Sequence, residues 1–284
     1  FNLGLDHDGA ILGAGVRGGD ARMRGALKAR DCGPAGIELD PRGKSARRVG
    51  AMIDFLPVEA DNAALIAAMS DPAIRIVSLT VTEGGYFINP ATGRFDPTHP
   101  EIAADAANPH RTAFGAIIAA LKARRAAGVA PFTVMSCDNL PGNGHVTKDA
   151  VTGLARINDP ALADWIATNV AFPNGMVDRI TPATGPRERA MASAFGLGDD
   201  PVPVTCEPFR QWVLEDNFPT GRPAFEKVGV TLTPHVHNFE LMKIRILNGG
   251  HATIAYPGGL MDIEYVHEAM ADPLIRGLLD KVEI

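Results

Sequence analysis

Short apolar runs alternate along this chain with stretches whose apolar residues recur at helical spacing. The run Ile74-Arg75-Ile76-Val77-Ser78-Leu79-Thr80-Val81 is largely apolar and β-branched, as a strand covered on both faces should be. Strands are predicted over residues 10–16, 74–82, 132–136, 176–181 and 228–233, and helices over 21–30, 62–69, 112–127, 146–157 and 160–170. The helix over 62–69 reads N-A-A-L-I-A-A-M, mostly good helix formers, and Asp71-Pro72 stops it. Strands and helices in alternation predict an α/β fold, a mostly parallel sheet flanked by helices. Residues 87–110, rich in Pro, Asn, Asp and Thr, read as a long surface excursion.

The pattern changes near residue 235. A long helical pattern covers 235–256 and closes at Pro257-Gly258-Gly259; a second runs over 262–282, interrupted by Pro273. The expected organisation is therefore an α/β domain over residues 1–234 and the start of an all-helical domain over 235–284.

Composition narrows the partners. With 46% hydrophobic and 21% charged residues, the 284-residue chain is globular in character. A net charge of -6 with both signs mixed leaves no basic stripe for nucleic acid. No segment approaches the ~18 apolar residues of a membrane helix, and the first six residues lack a secretory pattern. Cys32, Cys137 and Cys206 are scattered and odd in number, as reduced thiols of a cytoplasmic protein would be. The pair His235-x-His237 finds no third ligand at metal spacing, so it is not read as a metal site.

Gly13-Ala14-Gly15-Val16-Arg17-Gly18 fits G-x-G-x-x-G between a predicted strand and helix, with Glu38 and Asp40 about 20 residues on, as a dinucleotide fingerprint requires. The same residues also suit the end of a second strand. Asp20 would then be the acid that meets a ribose 2′-hydroxyl and repels a 2′-phosphate, favouring NAD. The segment alone leaves both readings open. Glu83, between a strand end and Gly84-Gly85, belongs near a ligand at the strands' carboxyl ends.

The stretch from Glu240 to His251 carries the candidate chemistry. At ~100° per residue, Lys243, Glu240, His251 and Asn248 project at roughly 0°, 60°, 80° and 140°, with Ile244 and Leu247 inside the same arc. This mixed face suits a partly buried site. Lys243 and His251 lie ~12 Å apart along the axis, so a ligand shared by both must extend along the helix. Alcohol oxidation needs a base for the hydroxyl proton; desolvation favours the neutral amine of a lysine, which then accepts a proton near neutrality. Side chains such as Asn248 and His251 can donate to oxygen as charge develops. The bland alternative is an amphipathic helix with a solvated lysine.

Lys243, Asn248 and His251 form K-x4-N-x2-H, which resembles the signature of the mannitol dehydrogenase family of long-chain polyol dehydrogenases. Ser136-Cys137-Asp138-Asn139-Leu140-Pro141, Thr82-Glu83-Gly84-Gly85-Tyr86, Phe172-Pro173-Asn174, Met176-Val177-Asp178-Arg179-Ile180-Thr181-Pro182 and Cys206-Glu207-Pro208-Phe209 resemble further family segments in the same order. The resemblance implies a Rossmann-like domain followed by a helical one. It implies Lys243 as general base, Asn139 and Asn248 as the oxyanion-stabilising pair, His251 and Asp178 as substrate-binding residues, and Glu240 beside the lysine's proton route. NAD would be held by Asp20, Arg17, Glu83, Gly84 and Asn139, with no metal. The implied reaction is NAD-dependent interconversion of D-mannitol and D-fructose. The alternatives are reduction of a hexuronate such as fructuronate, or an inactive family fragment. The resemblance also places the family's phosphate loop upstream of residue 1, makes residues 13–18 the second strand, and continues the helical domain past Ile284. Gly33-Pro34 departs from it, standing where the family prefers larger apolar or aromatic residues.

Overall fold

Parallel pairing of two apolar strands organises the first part of the molecule. The computed structural model describes residues 9–40, 42–108 and 110–283, so the opening six residues read for a secretory pattern lie outside it. The chain forms two compact units, Phe1–Thr233 and Pro234–Ile284.

In the first unit, β1 (Ile11–Gly13) leads into α1 (Asp20–Lys28), followed by β2 (Ala35–Asp40), β3 (Gly43–Arg48), β4 (Met52–Phe55), α2 (Ala63–Ser70) and β5 (Ile76–Leu79). A 3-10 turn (Glu83–Tyr86), a small hairpin of β6 (Ile88–Asn89) and β7 (Arg94–Phe95), α3 (Pro100–Ala107) and α4 (Ala113–Ala126) precede β8 (Thr133–Ser136). Next come α5 (Asn143–Asn158), α6 (Pro160–Asn169), β9 (Gly175–Asp178), α7 (Pro186–Ala194), β10 (Val204–Cys206), β11 (Gln211–Leu214), a 3-10 turn (Phe225–Val228) and β12 (Thr231–Leu232). β5 pairs parallel with β8 from Ile76↔Thr133 to Leu79↔Ser136, and β1 pairs parallel with β4. Antiparallel pairs β2·β3 and β11·β9 extend a mixed architecture, with β10 parallel to β2 and β12 parallel to β11.

The core lies between β5·β8 and the helices α4, α5 and α6: Phe132, Val134, Ile117, Leu121, Val151 and Ile166 are buried there. All four residues of β8 are buried, Thr133 and Ser136 included, whereas β5, read as covered on both faces, is buried only at Leu79. Helix ends follow local chemistry. Thr112 caps α4 by accepting from Gly115 N–H at 3.0 Å, and Asp159 caps α6, whose first residue is Pro160.

The expected excursion over 87–110 is more ordered than its composition suggests. It contains β6, β7 and α3, and Phe87 and Ile102 enter the main core. Buried Asp105 anchors it, accepting from the amides of Arg111 at 3.2 Å and Thr112 at 2.8 Å and from the Thr112 hydroxyl. The expected strand over 228–233 resolves into a 3-10 turn and the two-residue β12.

In the second unit, α8 (Val236–Met242), a π-helical turn (Lys243–Asn248) and α9 (Gly249–Leu260) follow one another directly. The expected closure at Pro257 is not observed: Pro257 lies inside α9, which ends at Leu260. Pro273 does separate two helices, α10 (Val266–Ala271) and α11 (Pro273–Val282). It begins the latter behind Asp272, whose carboxylate accepts from Leu274 N–H at 2.9 Å and Ile275 N–H at 3.1 Å. Ile254, Ala269 and Ile275 form a small buried cluster with Ile263, Met270 and Leu279 against it.

Among the described residues, one cation is fully enclosed. Arg124, 2% exposed, donates to the carbonyls of Met69 at 2.7 Å, Ala130 at 2.8 Å, Ile74 at 2.7 Å and Asp71, and lies over the Phe132 ring. It ties the end of α2 and the entry to β5 to the loop before β8. A buried acceptor left without a partner costs its full desolvation penalty. Replacing Arg124→Met should therefore lower stability by about 3 kcal/mol in urea denaturation. A loss under about 1 kcal/mol would show that the four carbonyls need no such donor.

Candidate active site

The carboxyl ends of β5 and β8 are held together by the half-buried Asp138 and the buried Tyr86 and Ser136. The Asp138 carboxylate accepts from Val81 N–H at 2.9 Å, Thr82 N–H at 3.0 Å and the Tyr86 hydroxyl at 2.6 Å. The Tyr86 and Ser136 hydroxyls lie 2.6 Å apart. Burial, reinforced by the Asp138 carboxylate, keeps the phenol protonated far above its ordinary range. The exposed residues Glu83, Gly84 and Asn139 sit on the two loops tied in this way.

The start of α5 is pinned to β9 by two asparagines. Asn143, fully buried, donates to Asp138 O at 3.1 Å and accepts from Gly175 N–H at 2.8 Å. Asn174 accepts from Gly144 N–H at 3.0 Å and His145 N–H at 3.3 Å, and donates to Glu215 Oε1 at 3.0 Å. Gly144 is required at this approach, since a Cβ there would stand 2.6 Å from Pro173 O. Gly142 turns into the helix with φ +59°, a left-handed conformation that glycine adopts freely. His145, read from sequence as solitary, has its Nε2 3.1 Å from Asn174 Nδ2. No role for Tyr86, Asp138, Asn143, Asn174 or Glu215 was legible in the sequence. The short run Gly142-Asn143-Gly144 was their one local sign, since it marks a tight start to a helix.

Asp178 ends β9, half-buried, opposite Gln211 of β11. Its neighbour Arg179 donates to Glu38 Oε2 at 2.8 Å and Glu207 O at 3.0 Å, and Glu207 Oε1 accepts from Ile180 N–H at 2.7 Å. Glu38 therefore holds Arg179, and Asp40 binds Arg42.

These contacts bear on the glycine segment. A fingerprint loop needs its strand paired with the strand that follows the helix. Here β1 pairs with β4, beyond the β2·β3 hairpin, and Glu38 and Asp40 belong to another sheet. Neither Glu38 nor Asp40 thus stands on the strand beside β1, where the fingerprint would need its acid. Asp20 instead turns back on the loop after β1: its Oδ2 accepts from Arg17 N–H at 2.9 Å, and a Cβ on Gly15 would collide with it.

In the second unit, the π turn alters the arc drawn at α spacing. Gly249 N–H reaches Ile244 O, five residues back, and a ladder with that step brings residue 248 over residue 243. Asn248 thus lies nearer the angular position of Lys243 than the ~140° of an ideal α-helix. Glu240 is buried, Lys243 half-buried, and Asn248 and His251 exposed. Ile244 and Leu247 are exposed as well, against the partly buried face expected. His237 Nδ1 lies 3.6 Å from Glu240 Oε2. Among the described residues, no group of three or more His, Cys, Asp or Glu is arranged to hold a metal ion, and no helix is long and apolar enough to cross a membrane.

Cys137, between Ser136 and Asp138, packs against the Met135, Leu214 and Val230 cluster. Burial, with the Asp138 charge adding to it, pushes its thiol up to about 11. The thiolate is the reactive form, so Cys137 should resist iodoacetamide at pH 8 in the folded protein and become labelled as pH nears that value. Rapid modification at pH 8, read by peptide mass spectrometry, would contradict this burial.

Comparison with known proteins places these features. The mannitol dehydrogenase Rossmann-domain family model matches residues 3–227, and the mannitol dehydrogenase C-terminal-domain model matches residues 235–284. A mannitol 2-dehydrogenase of Cereibacter sphaeroides is 73% identical over 100% of this chain and 60% of its own length. A polyol:NADP oxidoreductase of Gluconobacter oxydans is 48% identical over 97% of this chain and 58% of its own. Among solved structures, a D-sorbitol dehydrogenase in substrate-free form superposes with TM-score 0.92 at 44% identity, covering 96% of this chain and 58% of that one. The Pseudomonas fluorescens mannitol 2-dehydrogenase, in ternary complex with NAD and D-mannitol, gives TM-score 0.85 at 46% identity, over 95% and 56%. The chain thus spans about three-fifths of the length of these relatives. With both family models matching in order, a Rossmann-like domain before a helical one, this chain belongs to the mannitol dehydrogenase family.

Proposed function

We propose that the protein carrying this chain is an NAD-dependent dehydrogenase that interconverts D-mannitol and D-fructose by a lysine-based, metal-independent mechanism in the cytoplasm. The observation that carries the proposal is the π turn, which raises Asn248 over Lys243 beside buried Glu240. Turns of this kind are frequent at functional sites, and here the turn begins at the lysine of the family signature. The named activities of the relatives support the substrate class.

In this reading, residues 1–234 hold the dinucleotide and residues 235–284 begin the helical substrate-binding domain. The residues of the first unit fit such a cofactor. Asp20 presents an acceptor-only carboxylate at the carboxyl end of β1, its orientation fixed by Arg17 N–H and permitted by Gly15. That chemistry suits a ribose diol and disfavours a 2′-phosphate. Arg17, Glu83, Gly84 and Asn139 complete the proposed cofactor contacts. NAD, when bound, supplies the hydride acceptor.

The remaining work falls to the chain's own side chains. Lys243 Nζ accepts the proton of the alcohol. Asn139 and Asn248 donate N–H to the oxygen as it becomes negative, a stabilisation stronger in the transition state than in the bound alcohol. Asp178 and His251 bind further hydroxyls of the polyol, and Glu240 borders the route by which the lysine's proton leaves.

The test is NADH oxidation with fructose, fructuronate and tagaturonate by the full protein and its Lys243→Ala variant. Turnover should favour fructose and fall by roughly 100- to 10,000-fold in the variant. Undiminished turnover would remove Lys243 as base; preference for a hexuronate would reassign the substrate.

A further inference from the structure

One carboxylate joins the two loops to which the cofactor and oxyanion roles are assigned. Asp138 receives three donors, the amides of Val81 and Thr82 and the hydroxyl of Tyr86. It immediately precedes Asn139, and the two amides immediately precede Glu83 and Gly84. Its backbone is fixed as well: Asp138 N–H donates to Ser136 Oγ at 3.2 Å, and Asp138 O accepts from Asn143 Nδ2 at 3.1 Å.

The segment held in this way is strained. Thr82 has φ +64° and ψ 167°, a region that is essentially glycine's and least tolerable for a β-branched residue. Such a conformation persists only where its surroundings over-determine it. The Thr82 N–H bond to Asp138 Oδ1 is a contact that does so. Tyr86, fully buried, donates to the same carboxylate, sharing Oδ2 with Val81 N–H.

We propose that Asp138 is a positioning residue: by clamping residues 81–84 to the 138–139 turn, it sets the Asn139 amide relative to Glu83 and Gly84. The inference rests on the roles given to those three residues under Proposed function. Asp138 acts through Asn139 and touches no reacting atom. Asparagine cannot substitute for it, because a carboxamide accepts through one oxygen only and would turn its NH2 toward an amide N–H.

The test compares Asp138→Asn, Asn139→Ala and the double variant in the full protein with D-mannitol and NAD. Asp138→Asn should lower kcat by roughly 10- to 100-fold with little change in the mannitol KM. On the Asn139→Ala background its further effect should be under about twofold, since coupled residues are non-additive. Additive losses, or wild-type kcat in Asp138→Asn, would overturn the proposal. Should Asp138→Asn fail to fold, Tyr86→Phe removes one donor and keeps both amide bonds. It should lower kcat less, in the same direction, and not on the Asn139→Ala background; an unchanged kcat would overturn the clamp. An inactive parent protein would refute the function and not the clamp. Amide exchange at Val81 and Thr82 then decides, with faster exchange in Tyr86→Phe supporting the clamp and equal exchange overturning it.

Discussion

A parallel strand pair exposes its loops at one end, and loops carry backbone groups that need partners. At the carboxyl ends of β5 and β8, those partners are side chains. Asp138, Asn143 and Asn174 satisfy amides and carbonyls of residues 81–82, 136, 138, 144–145 and 175. Each is a short side chain with two polar atoms, so it bridges backbone segments at fixed separation. Long lysines or glutamates would span the same gaps only at a larger cost in rotamer entropy. The rest of the first unit converges on this arrangement: Arg124 ties together the opposite end of the same strand pair, and the core fills the space beneath.

Precision at one end of a sheet is what the proposed chemistry demands, because a donor to a developing oxyanion works only when it is in place beforehand. The proposed base stands on different ground. Lys243 belongs to the second unit, at the junction of α8 with a π turn. A lengthened hydrogen-bond step there changes which side chains share an angular position, and it does so without breaking the helix. The two units thus meet the same requirement by separate means, polar pins in one and altered helical pitch in the other.

Sequence made some of this legible and not the rest, for physical reasons. β5, β8 and α4 to α6 were readable because their burial depends on apolar residues contributed by the segment itself. β3, Gly-Lys-Ser-Ala-Arg-Arg, carries almost no apolar signal; it is a strand because β2 pairs with it from Ala35↔Arg48 to Asp40↔Gly43, and pairing overrides propensity. Residues 87–110 looked like a loop because the residues that order them, Asp105 and Thr112, are polar and act only once buried. The π turn left no trace, since apolar periodicity cannot separate one wide turn from a mixed face. At the site, the motif residues were visible as letters. The side chains that hold the motifs in place, Asp138, Asn143 and Asn174, declare themselves only through the amides they meet.

The most direct measurement is the reduction of NAD by D-mannitol, followed as NADH formation in the presence of EDTA with the full protein carrying this chain. The proposed function predicts NADH and D-fructose in equal amounts, at a rate the chelator does not change and that NADP does not match. No NADH, a rate abolished by EDTA, or a clear preference for NADP would contradict it.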